Sequence, residues 1–259
     1  MVSFARHFKG RGPAREDLVS PRSMPQMRGV MPEPVVPEPV ISEPVIIALD
    51  GPAASGKGTL AKAIATHYGF AYLDTGSLYR GVAYLLLREG ADPEDRAAAE
   101  AAARAFSLEA IEGADIRTRE VGAAASVVAA QPAVRQALLD FQRDFARRPP
   151  NGAKGAVLDG RDIGTVVCPG ATVKFFVMAS PKVRAHRRFL ELKAARPGLS
   201  EADVLADLVE RDARDAARAD APMARAEDAE LLDTTHLTIE AAFAAARRVI
   251  DGVLRRCED

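Results

Sequence analysis

An apolar run, a glycine-rich loop and the first turn of a helix follow one another in Val45-Ile46-Ile47-Ala48-Leu49-Asp50-Gly51-Pro52-Ala53-Ala54-Ser55-Gly56-Lys57-Gly58-Thr59. The apolar run predicts a buried strand. Glycines let the loop curl so that its backbone N–H groups point at phosphate oxygens, and the N-terminus of the following helix adds positive potential. Because strand, loop and helix occur in the required order, the stretch predicts a P-loop that binds a nucleoside triphosphate.

The residues predicted to bind the triphosphate are those of the loop itself: Gly51, Pro52, Ala53, Ala54, Ser55, Gly56, Lys57, Gly58 and Thr59. Lys57 can bridge the β- and γ-phosphates. One position departs from the common pattern, which has Ser or Thr directly after the lysine, because Gly58 stands there and Thr59 follows. We therefore expect Mg²⁺, the cofactor that accompanies ATP, to be held by Thr59, by an acid at a neighbouring strand end and through water.

Apolar strands alternate with helices along the rest of the chain. After the first strand, further strands are predicted at 70–73, 155–158, 172–178 and 229–233. Helices are predicted at 56–68, about 77–89, from an N-cap at Asp92 to about 106, over most of 118–147, at about 181–194, from 201 to beyond 214 and at 238–254. Residues 107–116 are compatible with short strands. The alternation predicts an α/β fold with a parallel sheet that helices cover on both faces.

The composition excludes several classes of protein. The 259 residues are 48% hydrophobic, enough for a sizeable core, and the net charge of −1 disfavours a nucleic-acid binder. Two cysteines far apart in the chain fit a reducing compartment. No apolar run approaches the roughly 20 residues that span a bilayer. We expect a cytoplasmic monomer whose partners are small molecules, with no nucleic acid and no membrane among them.

Residues 1–44 differ from the rest of the chain. They contain eight of its 17 prolines, including Pro32-Glu33-Pro34-Val35-Val36-Pro37-Glu38-Pro39. Proline fixes φ and removes a backbone donor, so such a stretch has little ability to fold alone. The sequence predicts a disordered tail before a folded domain at 45–259. The alternative is a proline-rich docking peptide.

A missing motif separates two classes of P-loop protein. A GTPase switch needs Asn-Lys-x-Asp to recognise guanine, but the chain's only asparagine, Asn151, is followed by glycine. A kinase instead needs a second phosphate-binding region for its acceptor. Arginine suits that region, because its planar guanidinium matches phosphate oxygens and stays charged.

Three segments could supply the acceptor region. Asp74-Thr75-Gly76-Ser77-Leu78-Tyr79-Arg80 and Asp159-Gly160-Arg161-Asp162-Ile163-Gly164-Thr165 each follow a strand, where open α/β sheets bind ligands, and Asp159 is the candidate metal residue. The third, Glu210-Arg211-Asp212-Ala213-Arg214-Asp215-Ala216-Ala217-Arg218, places charges on one helix face: Arg211, Arg214, Asp215 and Arg218. Alone, the three would be a capped helix, a polar turn and a solvated face of ion pairs. An anionic ligand would relieve the repulsion among the arginines.

Five motifs that occur in this order resemble those of bacterial cytidylate kinase: Gly-Pro-x-x-x-Gly-Lys-Gly-Thr, Asp-Thr-Gly-x-x-Tyr-Arg, Ile-Arg-Thr-x-Glu-Val, Asp-Gly-Arg-Asp-Ile-Gly-Thr-Val-Val and Glu-Arg-Asp-x-Arg-Asp-x-x-Arg. The match extends over about residues 45–254, and the joint pattern distinguishes this family from adenylate, thymidylate and shikimate kinases. The resemblance implies a P-loop core, a monophosphate-binding insert at about 90–147 and a mobile helical lid at about 193–225. The insert is reduced, since only about residues 106–115 are available for the β-rich part that many members have.

The resemblance also implies a role for each charged residue. Those matching contacts to cytosine are Thr75, Arg117, Asp162 and Arg218. Those matching contacts to the acceptor phosphate are Arg80 and Arg161, and those near the ribose are Arg211 and Asp215. Arg214 matches a lid arginine that closes over the transferring phosphates. The catalytic residues implied in this way are Lys57, Arg161 and Arg214.

The implied reaction is transfer of the γ-phosphoryl group of ATP to CMP or dCMP with Mg²⁺. No general base is needed, because a phosphate monoester has its second pKa near ~6 and is largely ionised at neutral pH. Asp162 would accept a hydrogen bond from the 4-amino group of cytosine, whereas uracil presents an oxygen there. Two alternatives stay open: a kinase for another nucleoside monophosphate or small metabolite, and a nucleotide-binding protein without chemistry.

Overall fold

The computed structural model describes residues 43–194, 196 and 198–258, without the side chains of residues 257 and 258. Except for its last two residues, the proline-rich tail predicted at 1–44 therefore lies outside the described part of the chain. None of the described helices is long and apolar enough to cross a membrane.

Five parallel strands form one sheet in the order β2-β3-β1-β4-β5. They are β1 (Val45–Asp50), β2 (Ala71–Asp74), β3 (Gly155–Asp159), β4 (Val173–Met178) and β5 (Glu230–Asp233). The chain adds β2 and β3 on one side of β1 and then β4 and β5 on the other. Ligands of open α/β sheets bind in the crevice at such a reversal of strand order. The predicted α/β fold with a parallel sheet is confirmed.

Helices cover both faces of the sheet. The described α-helices are α1 (Lys57–Tyr68), α2 (Thr75–Arg88), α3 (Arg96–Arg104), α4 (Arg119–Val128), α5 (Pro132–Arg147), α6 (Pro181–Leu192), α7 (Glu201–Ala216) and α8 (Ile239–Glu258). A single-turn π-helix spans Ile163–Val167, and short 3₁₀ turns span Glu109–Ile111 and Pro150–Gly152. Successive strand residues point to opposite faces, so Ile47 and Leu49 pack with α1 and α8, whereas Ala48 packs with the helices from α2 to α5.

The chain turns sharply where β1 enters the P-loop. Gly51 has φ +140°, and a Cβ there would lie 2.0 Å from the carbonyl oxygen of Val177 in β4. Only glycine permits this conformation and this approach. The loop is therefore held directly at the carboxyl end of β1, beside the ends of β3 and β4.

Several boundaries differ from the sequence prediction. Helix α3 begins one turn later than expected, because Asp92 closes a turn with the amide of Glu94 (2.9 Å) and Asp95 is the N-cap, accepting bonds from two amides of the first turn. The described residues of 107–116 form a 3₁₀ turn and no strand. The helical stretch predicted at 118–147 is two helices, since Pro132 starts α5 and leaves Gln131 extended.

Candidate active site

A cleft of about 560 Å³ opens at the carboxyl ends of β2 and β3, beside the P-loop. The predicted site residues that line it are Ala53, Ala54, Gly56, Lys57, Gly58, Thr59, Thr75, Arg80, Arg117, Asp159, Arg161, Asp162, Arg211, Asp215 and Arg218. Gly51, Pro52 and Ser55 form the buried back of the loop. The fold thus brings segments that are far apart in the sequence to one cavity.

The P-loop is tied to two elements behind it. The carbonyl oxygen of Ser55 accepts a hydrogen bond from the Thr234 hydroxyl (2.8 Å), in the turn after β5. The carbonyl oxygen of Ala53 accepts one from Nη1 of Arg184 (3.2 Å), a buried side chain on α6. These bonds fix the loop in position before a ligand arrives, which lowers the cost of ordering it on binding.

Lys57 and Asp159 form a buried pair at the floor of the cleft. Lys57 Nζ lies 3.4 Å from Asp159 Oδ1. Burial lowers the pKa of Lys57 to about 8, and burial raises the pKa of Asp159 although Lys57 opposes the rise. A Cβ on Gly58 would lie 3.0 Å from Asp159 Oδ2. The carboxylate therefore occupies the space that a side chain after the lysine would need, which accounts for glycine at that position.

Oxygen donors for a divalent cation are few but suitable. The described residues contain no group of three His, Cys, Asp or Glu side chains that could hold a metal alone. Asp159, with Thr59 and Asp74, lines the cleft next to the loop. A hard cation bound mainly by substrate phosphates and water needs only one or two such protein oxygens. The donor set fits this kind of site.

Two arginines meet Asp74, the last residue of β2. Arg80 Nη2 lies 2.7 Å from Asp74 Oδ2, one turn into α2. Arg117 Nη2 lies 3.8 Å from the same oxygen, and its side chain is 66% exposed. Arg117 was grouped with the cytosine contacts by resemblance, but here it lies at the mouth of the cleft beside Arg80.

Three arginines surround the buried carboxylate of Asp215. Arg161 Nε donates to Asp215 Oδ2 (2.9 Å), Arg218 donates to Oδ1, and Arg211 Nε lies 3.9 Å from Oδ2. Burial alone would raise the pKa of Asp215, but the guanidinium groups outweigh burial and hold it below its usual value. Arg218 lies beyond the end of α7, so its proximity to Asp215 comes from the chain leaving the helix rather than from a shared helix face. Three positive charges against one negative charge leave the cluster positive.

Asp162 is bound by an arginine that the motifs did not indicate. Arg135 Nη2 on α5 donates to Asp162 Oδ2, and the side chains are 7% and 8% exposed. The Arg135 guanidinium carbon lies 5.7 Å from the ring centroid of Tyr79. Burial raises the pKa of Asp162, and the Arg135 guanidinium opposes this rise. Nearby, the hydroxyl of Thr75 donates to the carbonyl oxygen of Asp159 (2.8 Å), which leaves its lone pairs available as acceptors.

One feature of the sequence could have indicated that Arg135 has a buried partner. It falls among the residues that α5 buries, between Val134 and Leu138, and a charge in an apolar stripe requires a partner. Ser126 and Arg188 are among the other lining residues that were not predicted. Ser126 on α4 has a buried hydroxyl that makes no hydrogen bond within the described part of the chain, and Arg188 on α6 is paired with Glu191 (2.8 Å).

Arg214 is the predicted catalytic residue that the structure does not bring to the cleft. It is absent from the cleft lining, and its Nη2 donates to Glu210 Oε1 (2.5 Å) one turn earlier on α7. Arg211 and Asp215 face the cleft from the same helix. Successive helical residues are separated by about 100°, so the burial of Asp215 turns Arg214 towards the margin.

Known proteins resemble this chain over most of its length. The family model described as cytidylate kinase matches residues 47–251. A cytidylate kinase of Rhodospirillum rubrum is 60% identical over 205 residues, which is 79% of this chain and 96% of the relative. Those of Azorhizobium caulinodans and Afipia carboxidovorans are 57% and 56% identical over 206 residues, which is 80% of this chain and 98% and 97% of the relatives. Together with the cleft, these matches show that the chain belongs to the cytidylate kinase family.

Proposed function

We propose that this chain transfers the γ-phosphoryl group of ATP to CMP or dCMP, which gives ADP with CDP or dCDP. Family membership supports the reaction class. The observation that supports the acceptor is that a P-loop lysine, an arginine cluster and the Asp162–Arg135 pair share one cleft of about 560 Å³. A site for a free metabolite without phosphate would have no use for so many guanidinium groups.

The donor end of the cleft is the P-loop with Lys57. We propose that the loop amides and Lys57 hold the triphosphate, and that Thr59 and Asp159 hold Mg²⁺, directly or through water. When bound, Mg²⁺ neutralises charge on the β- and γ-phosphates. Lys57 supplies a second positive charge from a buried position, where electrostatic stabilisation is stronger than in water.

The acceptor phosphate belongs with the arginines at the ends of β2 and β3. We propose that Arg80 and Arg161 bind it, with Arg117 assisting at the mouth of the cleft through its place beside Asp74. Arg80 and Arg161 are already oriented by carboxylates, so little side-chain entropy is lost on binding. Arg211 and Asp215 are proposed to lie near the ribose.

The base end belongs with Asp162 and its partner Arg135. The carboxylate accepts hydrogen bonds and the guanidinium donates them. Cytosine presents an amino donor at position 4 beside an acceptor at N3, which matches this order. Uracil presents an oxygen at position 4 and an N–H at position 3. The carboxylate would then face another acceptor, and the guanidinium would face another donor. We therefore propose that Arg135, rather than Arg117, joins Thr75, Asp162 and Arg218 at the base.

Transfer itself needs alignment rather than a proton acceptor on the protein. The acceptor phosphate is largely ionised at neutral pH, since its second pKa is near ~6. The positioned groups hold it in line with the γ-phosphate and neutralise developing charge. We propose that Arg214 contributes only when α7 moves towards the triphosphate. Arg188, which already lines the cleft, is the competing candidate for that charge.

A coupled assay of ADP formation with different acceptors tests the function. We expect CMP and dCMP to be phosphorylated with kcat/KM about 5–150-fold above UMP, which corresponds to ~1–3 kcal/mol for mismatched hydrogen bonds. Equal kcat/KM for CMP and UMP would refute the base assignment and favour a kinase of broader range. ATP binding without ADP formation from any monophosphate would favour a nucleotide-binding protein without chemistry.

We also propose a cytoplasmic monomer that acts on small molecules alone, without nucleic-acid or membrane partners. The near-neutral charge of the chain supports the part of this proposal that concerns nucleic acids and membranes, since both carry many negative charges and attract basic proteins. Sedimentation of the full-length protein at assay concentration tests the oligomeric state, and a mass of two chains would contradict it.

A further inference from the structure

A buried carboxylate lies between the two loops that hold the substrates. Asp50 is the last residue of β1 and directly precedes the P-loop. Its Oδ1 accepts the backbone N–H of Ile163 (2.7 Å), and its Oδ2 accepts that of Gly164 (2.7 Å). Asp50 is 4% exposed, and it is not among the residues that line the cleft. It therefore contacts a loop rather than a substrate.

The segment bound by Asp50 is the single-turn π-helix Ile163–Val167, which follows Arg161 and Asp162 without a gap. The first amides of a helix have no partner within it, and Asp50 supplies one from another element. At the other end, Arg143 on α5 donates to the carbonyl oxygens of Val166 (3.1 Å) and Val167 (3.2 Å). A rare helical turn is thus held at both ends by charged side chains from outside.

Accepting hydrogen bonds from the first amides of a helical turn does not require a buried charge. Burial raises the pKa of Asp50 to about 6 although both amide bonds oppose the rise, so ionised Asp50 destabilises the fold at neutral pH relative to a solvated carboxylate. The approach is also close, because a Cβ on Gly164 would lie 3.1 Å from Cδ of Lys174 and 3.3 Å from Asp50 Oδ2. A costly and sterically demanding contact of this kind points to a positional requirement.

We propose that Asp50 is a positioning residue for phosphoryl transfer: by binding the amides of Ile163 and Gly164 it fixes Arg161 and Asp162 relative to the P-loop. The two loops otherwise belong to different strands. Asp50 connects them directly. Its backbone leads into Gly51, the first residue of the P-loop, and its side chain binds the amide of Ile163, the residue after Asp162. The inference rests on the proposed roles of Arg161 and Asp162.

The variant Asp50→Asn tests the inference. Asparagine keeps the shape, but its NH₂ group faces a backbone N–H, so one of the two bonds is lost and the loop must shift. We expect KM for CMP to rise and kcat to fall by about tenfold each, because a misplacement of about 1 Å costs on the order of 10²-fold in transfer. We expect KM for ATP to change by less than about twofold, since the P-loop keeps its ties to Thr234 and Arg184.

The matched control is Asp251→Asn on α8, which weakens the acceptor of the Tyr68 hydroxyl (2.6 Å) on the other face of the sheet. Both variants are assayed at a temperature at which circular dichroism shows each to be folded. Arg143→Gln loosens the same π-helix from its carbonyl end, and we expect it to raise KM for CMP selectively as well. This second variant keeps the test decisive if Asp50→Asn fails to fold.

The quantity to compare is the ratio of KM for CMP to KM for ATP. The inference is overturned if this ratio is the same in Asp50→Asn as in the control Asp251→Asn. If Asp50→Asn is unfolded, Arg143→Gln takes its place in the comparison. Arg161→Ala separates this failure from failure of the proposed function. If Arg161→Ala abolishes turnover while the Asp50 variant resembles the control, only the positioning role is wrong. If Arg161→Ala has wild-type kinetics, the proposed acceptor site is wrong and the positioning role falls with it.

Discussion

Replacing Arg135 by methionine should destabilise the protein and impair recognition of the base at the same time. The pair it forms with Asp162 is buried, with both side chains less than a tenth exposed. Removal of one partner from such a pair leaves an uncompensated charge and costs roughly 3–5 kcal/mol. Asp162→Asn should cost less, because Asp220 Oδ2 lies 4.0 Å from Arg135 Nε and remains as a second anion. The double variant should be more stable than the sum of the single costs predicts, by about 2 kcal/mol or more.

Urea unfolding followed by circular dichroism measures these free energies, since the chain contains no tryptophan to report by fluorescence. The matched control is Arg104→Met, which removes an exposed pair with Glu100 on α3 and should have a much smaller effect because solvent screens it. In kinetics, Asp162→Asn should narrow the preference for CMP over UMP. Additive costs in the double variant, or an Arg135→Met cost no larger than that of the control, would refute the buried pair as the basis of this reasoning.

Three further outcomes are expected. Gly58→Ala should lower kcat and raise the Mg²⁺ concentration needed for half-maximal rate, because its Cβ would meet Asp159 Oδ2 at 3.0 Å; an unchanged Mg²⁺ titration would contradict this. Arg119→Ala should change KM for CMP by less than about fivefold, because the ion pair with Asp207 (2.8 Å) between α4 and α7 is exposed. A larger change would mean that this ion pair between the two helices contributes to CMP binding. The folded-state pKa of Asp50, about 6, lies above the usual value of 3.8 for this side chain, so its contribution to stability is greatest at low pH and is lost as pH rises through 6. The unfolding free energy of the wild type, measured relative to Asp50→Asn, should therefore rise by about 1–2 kcal/mol from pH 7 to pH 5, and a flat difference would place the pKa elsewhere.

The sequence was most informative where local pattern and chemistry coincide. The P-loop between β1 and α1 could be predicted because glycine spacing, an apolar strand and a helical period are all local. The start of α3 could not, because Asp92 and Asp95 are both good N-caps, and the pattern does not say that Asp92 closes a turn with the amide of Glu94 while Asp95 caps the helix. The site role of Arg135 depends on a partner 27 positions away in the chain, which no local pattern encodes.

Helix α7 shows a second feature that the sequence pattern leaves open. The i,i+4 spacing correctly predicted that Arg211 and Asp215 share a face, but periodicity alone does not say which face meets the cleft. Once Asp215 is buried, Arg214 is rotated by about 100° from it and pairs with Glu210. For Arg117, the resemblance located a motif but not the direction of the side chain, which lies beside Asp74.

The carboxylates of the cleft connect these observations, because almost every cation there already has an anion. Asp159 holds Lys57, and Asp162 holds Arg135. Asp74 holds Arg80, with Arg117 at 3.8 Å. Such pairing orients the cations before substrate arrives, so little reorganisation remains at the moment of transfer. It also makes the substrate phosphates compete with carboxylates, which weakens ground-state binding. Around Asp215 the balance differs, because one carboxylate faces the three guanidinium groups of its cluster. If the acceptor phosphate binds here, as proposed, a dianion gains most from this unbalanced charge. Removal of Arg161 should therefore weaken phosphate binding more than removal of any residue from a balanced pair.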